Sequence, residues 1–106
     1  MRVLVVYKRS FLETHRRDRG LLRRLAPSDR ARLRRADREN RETLRDVLAF
    51  LRKARADAEA VNRSEVASSA RYDLIVTVGG DGTFLMAAHY ARATPIFAAR
   101  ARSSLP

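Results

Sequence analysis

The run Asp73-Leu74-Ile75-Val76-Thr77-Val78 leads directly into Gly79-Gly80-Asp81-Gly82, which holds three of the chain's four glycines. A short apolar run rich in β-branched residues reads as a buried strand. Glycines at its end allow a tight turn and a close backbone approach to a ligand, because no Cβ intervenes. A helix opening after such a turn presents its first N–H groups to an anion. Strand, glycine turn and helix in that order point to an α/β fold with a phosphate cradle. Asp81 departs from a simple cradle, since a carboxylate stands where phosphates would sit. It points to chemistry or metal handling at the turn.

The flanking sequence carries the same alternation. Arg2 to Tyr7 reads as a first strand, with Val3-Leu4-Val5-Val6 apolar throughout as in a parallel strand covered on both faces. Lys8-Arg9-Ser10 follows at its C-terminal end, where open α/β sheets place ligands. Phe11-Leu12 and Leu21-Leu22 are apolar anchors around a charged stretch, with Gly20 placed to end a helical turn. Pro27-Ser28-Asp29 reads as a helix start with Ser28 or Asp29 as N-cap. From about Ala31 to Arg55, Leu33, Ala36, Asn40, Leu44, Val47, Leu48 and Leu51 recur at helical spacing and form one face. Arg34, Arg38, Glu39, Arg41, Glu42, Arg45 and Asp46 form the other, with Arg38 and Glu42 spaced to pair. Ala58 to Val61 reads as a short second strand, and Ser64 to Ala70 as a helical turn. Beyond the glycines, a helix from Gly82 or Thr83 to about Ala91 would turn Phe84, Leu85, Ala88 and Ala91 toward the sheet. Thr94-Pro95-Ile96-Phe97-Ala98 reads as the next strand, with its proline at the start. The expected fold is α/β, a Rossmann-like parallel sheet of about four strands with helices on both faces.

Composition narrows the function classes. At 106 residues and 45% apolar content, the chain suffices for one modest domain with its own core. It has no cysteine, which excludes disulfides and thiolate metal sites, and His15 and His89 lack metal-ligand spacing. The apolar start is too short for a secretory signal, and no apolar stretch is long enough to span a bilayer. A cytoplasmic protein is therefore expected. A net charge of +11 raises nucleic acid or an anionic membrane as partner. Lys8 and Lys53 are the only lysines, however, and the arginines run from Arg2 to Arg102 with acids interleaved. That skew fits an arginine-favouring codon composition and a solvated surface that steers anionic nucleotides.

The turn is neither Gly-x-Gly-x-x-Gly nor a P-loop. The whole string from Asp73 through Gly79-Gly80-Asp81-Gly82-Thr83-Phe84-Leu85 nevertheless resembles the glycine-rich signature of NAD kinases, which belong to a superfamily with diacylglycerol kinases, sphingosine kinases and 6-phosphofructokinases. The opening Val3-Leu4-Val5-Val6-Tyr7-Lys8, Thr43-Leu44 and Val47 in the long helix, and Thr94-Pro95-Ile96 look like the N-terminal domain of the same family. The resemblance runs from residue 1 to about residue 97. Lipid kinases continue from the motif threonine through one residue into Asn-Glu. Here Thr83 is followed by Phe84-Leu85-Met86, the NAD-kinase continuation.

The resemblance implies transfer of a phosphoryl group from ATP to the 2′-hydroxyl of NAD, with Mg²⁺ as the accompanying ion. Asp81 would be the general base, and Gly79, Gly80, Asp81, Gly82, Thr83 and Phe84 would hold nucleotide. A carboxylate is a weak base, so its value rests on placement and on late proton transfer. ATP or polyphosphate as donor, and NAD or NADH as acceptor, both stay open. The plain structural alternative makes the glycines a turn and Asp81 a helix cap.

The sequence departs from the family in two places. Met86 stands where relatives often carry a basic residue that meets the nucleotide, and His89, one turn further on, reads as exposed or half-packed. After Ile96 the family continues with Gly-x-Asn, whereas residues 98–106 form an irregular arginine-alanine tail. The β-rich C-terminal domain and its Asn-Glu pair have no counterpart. The expectation is an incomplete N-terminal domain over residues 1–97, resembling a truncated or frame-shifted copy and inactive alone. Such a piece would be either part of an NAD kinase or a non-catalytic nucleotide-binding fragment docking to a full-length relative or forming a homo-oligomer. An arginine-rich nucleic-acid binder is the less favoured alternative.

Overall fold

The computed structural model describes residues 1–9, 18–66 and 71–99. In chain order these form β1 (Arg2–Tyr7), α1 (Arg19–Arg24), α2 (Pro27–Lys53), β2 (Asp57–Asn62), a 3-10 turn (Arg63–Glu65), β3 (Leu74–Val78), α3 (Asp81–Ala91) and β4 (Ile96–Ala99). The four strands make one sheet in the order β2-β1-β3-β4, and every pairing is parallel. Expectations for Ser10, Phe11, Leu12, His15, residues 67–70 and the tail from Arg100 fall outside the described residues.

The continuous apolar run of β1 has its cause in the sheet. Val3, Leu4, Val5 and Val6 are at most 2% exposed, because β1 is an inner strand with a helix over each face. Leu4, Val6 and Ile75 pack with Ala87 and Ala91 of α3. Val3, Val5, Val76 and Val78 pack on the opposite face with Leu51, Leu44, Val47 and Leu48 of α2. Each fully buried Val, Leu or Ile among them contributes about 1.5–3 kcal/mol relative to exposure.

Helix α2 begins earlier than its cap signals suggest. Pro27 occupies the first turn, where its missing N–H costs nothing, and Ser28 and Asp29 fall inside the helix instead of capping it. The apolar face from Leu33 to Leu51 turns inward, half-buried along most of its length. Glu39 does not join the outer face; it is half-buried. The ion pair on the helix joins Arg41 to Asp37 at 3.2 Å, four residues back, in place of Arg38 with Glu42. The helix ends in a Schellman closure: Ala56 N–H donates to Leu51 carbonyl and Arg55 N–H to Arg52 carbonyl, each at 3.0 Å. Arg55 takes the left-handed position at φ 59°. Gly20 lies in the first turn of α1, not at its end, because Asp18 caps that helix by accepting Leu21 N–H at 3.0 Å.

Helix α3 also starts sooner than expected, at Asp81, and its inward face differs. Thr83, Ala87 and Ala91 are buried, while Leu85 is 66% exposed and Ala88 is exposed. Small side chains at four-residue spacing let α3 lie close to the sheet, and the bulkier Leu85 is rotated out. Ala91 is buried as expected, and Phe84 is half-buried. Pro95 stands just before β4, and its carbonyl accepts Ile75 N–H at 2.9 Å. Beside α2, an apolar groove of about 500 Å³ runs to β4, flanked by Phe50 and Phe97, which are 70% and 65% exposed. No helix among the described residues is long and apolar enough to cross a membrane.

Candidate functional site

Strand order places the site. From β1 the chain passes through α2, packed on one face, to β2; from β3 it passes through α3, packed on the other, to β4. The crossovers diverge between β1 and β3, and in open α/β sheets ligands sit outside the strand ends at such a point. Tyr7 and Val78, the last residues of β1 and β3, are register partners there. The glycine turn follows directly.

Each residue of the turn has a distinct place. Gly79 has φ +140°, and a Cβ on it would stand 3.1 Å from Thr83 Oγ1, so backbone and space both require glycine. Its N–H does not face a ligand, because it donates to the Ala99 carbonyl at 3.4 Å and carries the sheet onward to β4. Gly80 is the N-cap of α3, and a Cβ there would meet nothing within 4 Å. Its carbonyl accepts Phe84 N–H at 3.2 Å, the first rung of the helix. The N–H groups of Gly82 and Thr83 therefore lie ahead of the first rung, at the positive end of the helix dipole. Asp81 is exposed in the first turn of α3. The N-cap itself is Gly80, and Asp81 is the acidic residue that follows it. Thr83 is 1% exposed, and its Oγ1 has no hydrogen-bond partner among the described residues. Phe84 lies half-buried behind it.

Two features near the turn escaped the sequence reading. Arg63, in the 3-10 turn after β2, reaches across to Gly82: its Nη1 lies 3.2 Å from where a Gly82 Cβ would stand. Nothing in the local sequence marks it, since its role depends on β2 and α3 meeting through the sheet. A cavity of about 280 Å³ also opens on the α2 side of the strand ends, lined by Tyr7, Lys8, Asn40, Arg41 and Val78 among others. Lys8 lies at this end of β1, where the sheet logic places it, whereas the helical period marks Asn40 only as part of the helix face. Met86 and His89 lie on the exposed side of α3, and the His89 ring meets Tyr90 edge-on at 5.1 Å.

No protein-family profile matches the chain. A curated relative, the NAD kinase of Natronomonas pharaonis, is 43% identical over 61 residues, covering 58% of this chain. Over that stretch the chain is similar to an NAD kinase. It spans 22% of the length of that relative. A solved NAD kinase from Archaeoglobus fulgidus, in complex with ATP, aligns with 94% of this chain and 28% of its own at 23% identity and a TM-score of 0.47. The likeness to NAD kinases drawn from the glycine string thus has a counterpart in a curated NAD kinase, and the four-stranded parallel α/β sheet expected with it is present.

Proposed function

We propose that this chain is the nucleotide-binding N-terminal portion of an NAD kinase. In this reading the α/β domain runs through the end of β4 at Ala99, two residues past the boundary expected at 97, because Ala98 and Ala99 pair with Thr77 and Val78. The observation that carries it is the Gly79-Gly80-Asp81-Gly82-Thr83 turn at the diverging ends of β1 and β3, heading helix α3. The 43% identity with the Natronomonas enzyme supports the same reading. NAD and ATP are the proposed nucleotides, and the cytoplasm the proposed location.

The residues of the turn suit a nucleotide. Gly80 leaves open space above the backbone, and the head of α3 offers N–H groups to phosphate or ribose oxygens. Thr83 Oγ1 is a buried polar atom still lacking a partner beside them. Asp81 would accept the proton of the 2′-hydroxyl as that oxygen attacks the terminal phosphorus and ADP departs. Among the described residues no three His, Cys, Asp or Glu side chains cluster as a metal site. A single carboxylate fits Mg²⁺ only together with the nucleotide's own phosphates, where the ion supplies charge neutralisation.

Titration calorimetry with NAD, and with ATP and Mg²⁺, tests this reading. Both are expected to bind, and Gly82→Val is expected to weaken binding by filling the head of α3. A chain that binds neither contradicts it. A coupled assay of NADP formation then separates two roles. Turnover lowered about 10²–10⁴-fold by Asp81→Asn identifies the base. Binding without turnover identifies the second reading, a non-catalytic nucleotide-binding fragment.

A further inference from the structure

Arg63 is held in place by its neighbours. Asn62 Oδ1 accepts Arg9 N–H at 3.2 Å, tying the end of β2 to the segment after β1. The same side chain donates from Nδ2 to Ser64 Oγ at 2.6 Å, bracing the turn that carries Arg63. From that turn the guanidinium extends to Gly82, in the first turn of α3. Gly82 lacks a side chain, which lets the cation lie against the helix head. The ion pairs found among the described residues join Arg2 to Asp57 and Arg41 to Asp37, and none includes Arg63.

A guanidinium and the positive end of a helix dipole both draw anions, and the Asp81 carboxylate of the same turn is already one negative group there. A phosphate placed between the guanidinium and the helix head meets both. Guanidinium suits a phosphate in particular, because its planar fork donates two parallel hydrogen bonds. Thr83 Oγ1, at the Gly79 end of the same turn, is buried and has no hydrogen-bond partner among the described residues, a second polar group left for a ligand to satisfy. Met86, one helical turn beyond Gly82, supplies no charge there.

We propose that Arg63 is the cation that meets the phosphate oxygens of a nucleotide at the glycine turn. The inference rests on the nucleotide reading of that turn and adds to it a binding residue from a separate element. Arg63 clamps the phosphate from the β2 side while the head of α3 holds it from below. Its recognition is for the phosphoryl group and not for base or ribose.

The test is ADP titration of the chain and its Arg63→Gln, Arg63→Lys and Arg45→Gln variants. Arg45 lies on the exposed face of α2, so its loss removes the same charge at a distance. Arg63→Gln is expected to weaken ADP about 10-fold or more, with Arg63→Lys intermediate and Arg45→Gln like the parent. A parallel measurement needs no variant: ADP is expected to shield Arg63 of the unaltered chain from phenylglyoxal, read by peptide mass, while Arg45 stays reactive. Unchanged ADP affinity in Arg63→Gln, an equal loss in Arg45→Gln, or equal modification of Arg63 with and without ADP overturns the inference. Absence of ADP binding by the parent chain overturns the nucleotide reading beneath it.

Discussion

Gly79 and Gly80 are adjacent and chemically identical, yet they answer to different constraints. Gly79 sits at φ +140° with Thr83 Oγ1 3.1 Å from any added Cβ, whereas Gly80 has φ −97° and open space. Gly79→Ala is therefore expected to lower stability by about 1–3 kcal/mol, and Gly80→Ala by less than about 0.5 kcal/mol. Denaturant unfolding of the two variants measures the contrast. Tyr72 offers a second residue-level check. Its hydroxyl donates to Glu59 Oε2, and that bond, followed by partial burial and the nearby carboxylate charge, raises its pKa. The fold thus favours the neutral phenol. Its contribution is whole below the ordinary tyrosine value of about 10 and is lost as pH rises through the higher folded value. Stability should fall with pH in that alkaline window, and Tyr72→Phe should flatten the fall.

Among the elements, β1 was legible almost to the residue, because a strand buried on both faces needs an unbroken apolar run. The inward face of α2 was legible because its period persists over about five turns of sequence between Leu33 and Leu51. Helix α3 misled for a physical reason. It is short and apolar on several sides, so hydrophobicity could not fix its rotation, and the small residues Thr83, Ala87 and Ala91 took the buried face. The glycine turn was visible because its requirement is local. Arg63 was not, since only the β2-β1-β3 pairing brings its turn beside α3. The end of α2 yields a prediction at this scale. Arg55 holds a left-handed position that usually falls to glycine. Arg55→Gly is expected to stabilise the chain by about 0.5–1 kcal/mol, as relief of the αL strain of about 1–2 kcal/mol outweighs added freedom in the unfolded state. A rise in the thermal midpoint checks it.

For the molecule as a whole, the two faces of the sheet are not equally finished. The groove between α2 and β4 leaves Phe50 and Phe97 largely exposed, and β4 has no further neighbour among the described strands. Exposed apolar surface at an open edge favours association. Phe97→Glu is expected to reduce self-association in light scattering at high concentration while leaving nucleotide affinity unchanged, because the groove is formed by other residues than the glycine turn. The central claim is that the glycine turn, and not the arginine-rich exterior, is where nucleotide binds. Amide NMR during titration with NAD tests it most directly. The account predicts that the largest shifts fall on residues 79–84, with Arg63 among the next. Shifts centred on the outer arginines of α2, or none at all, would contradict it.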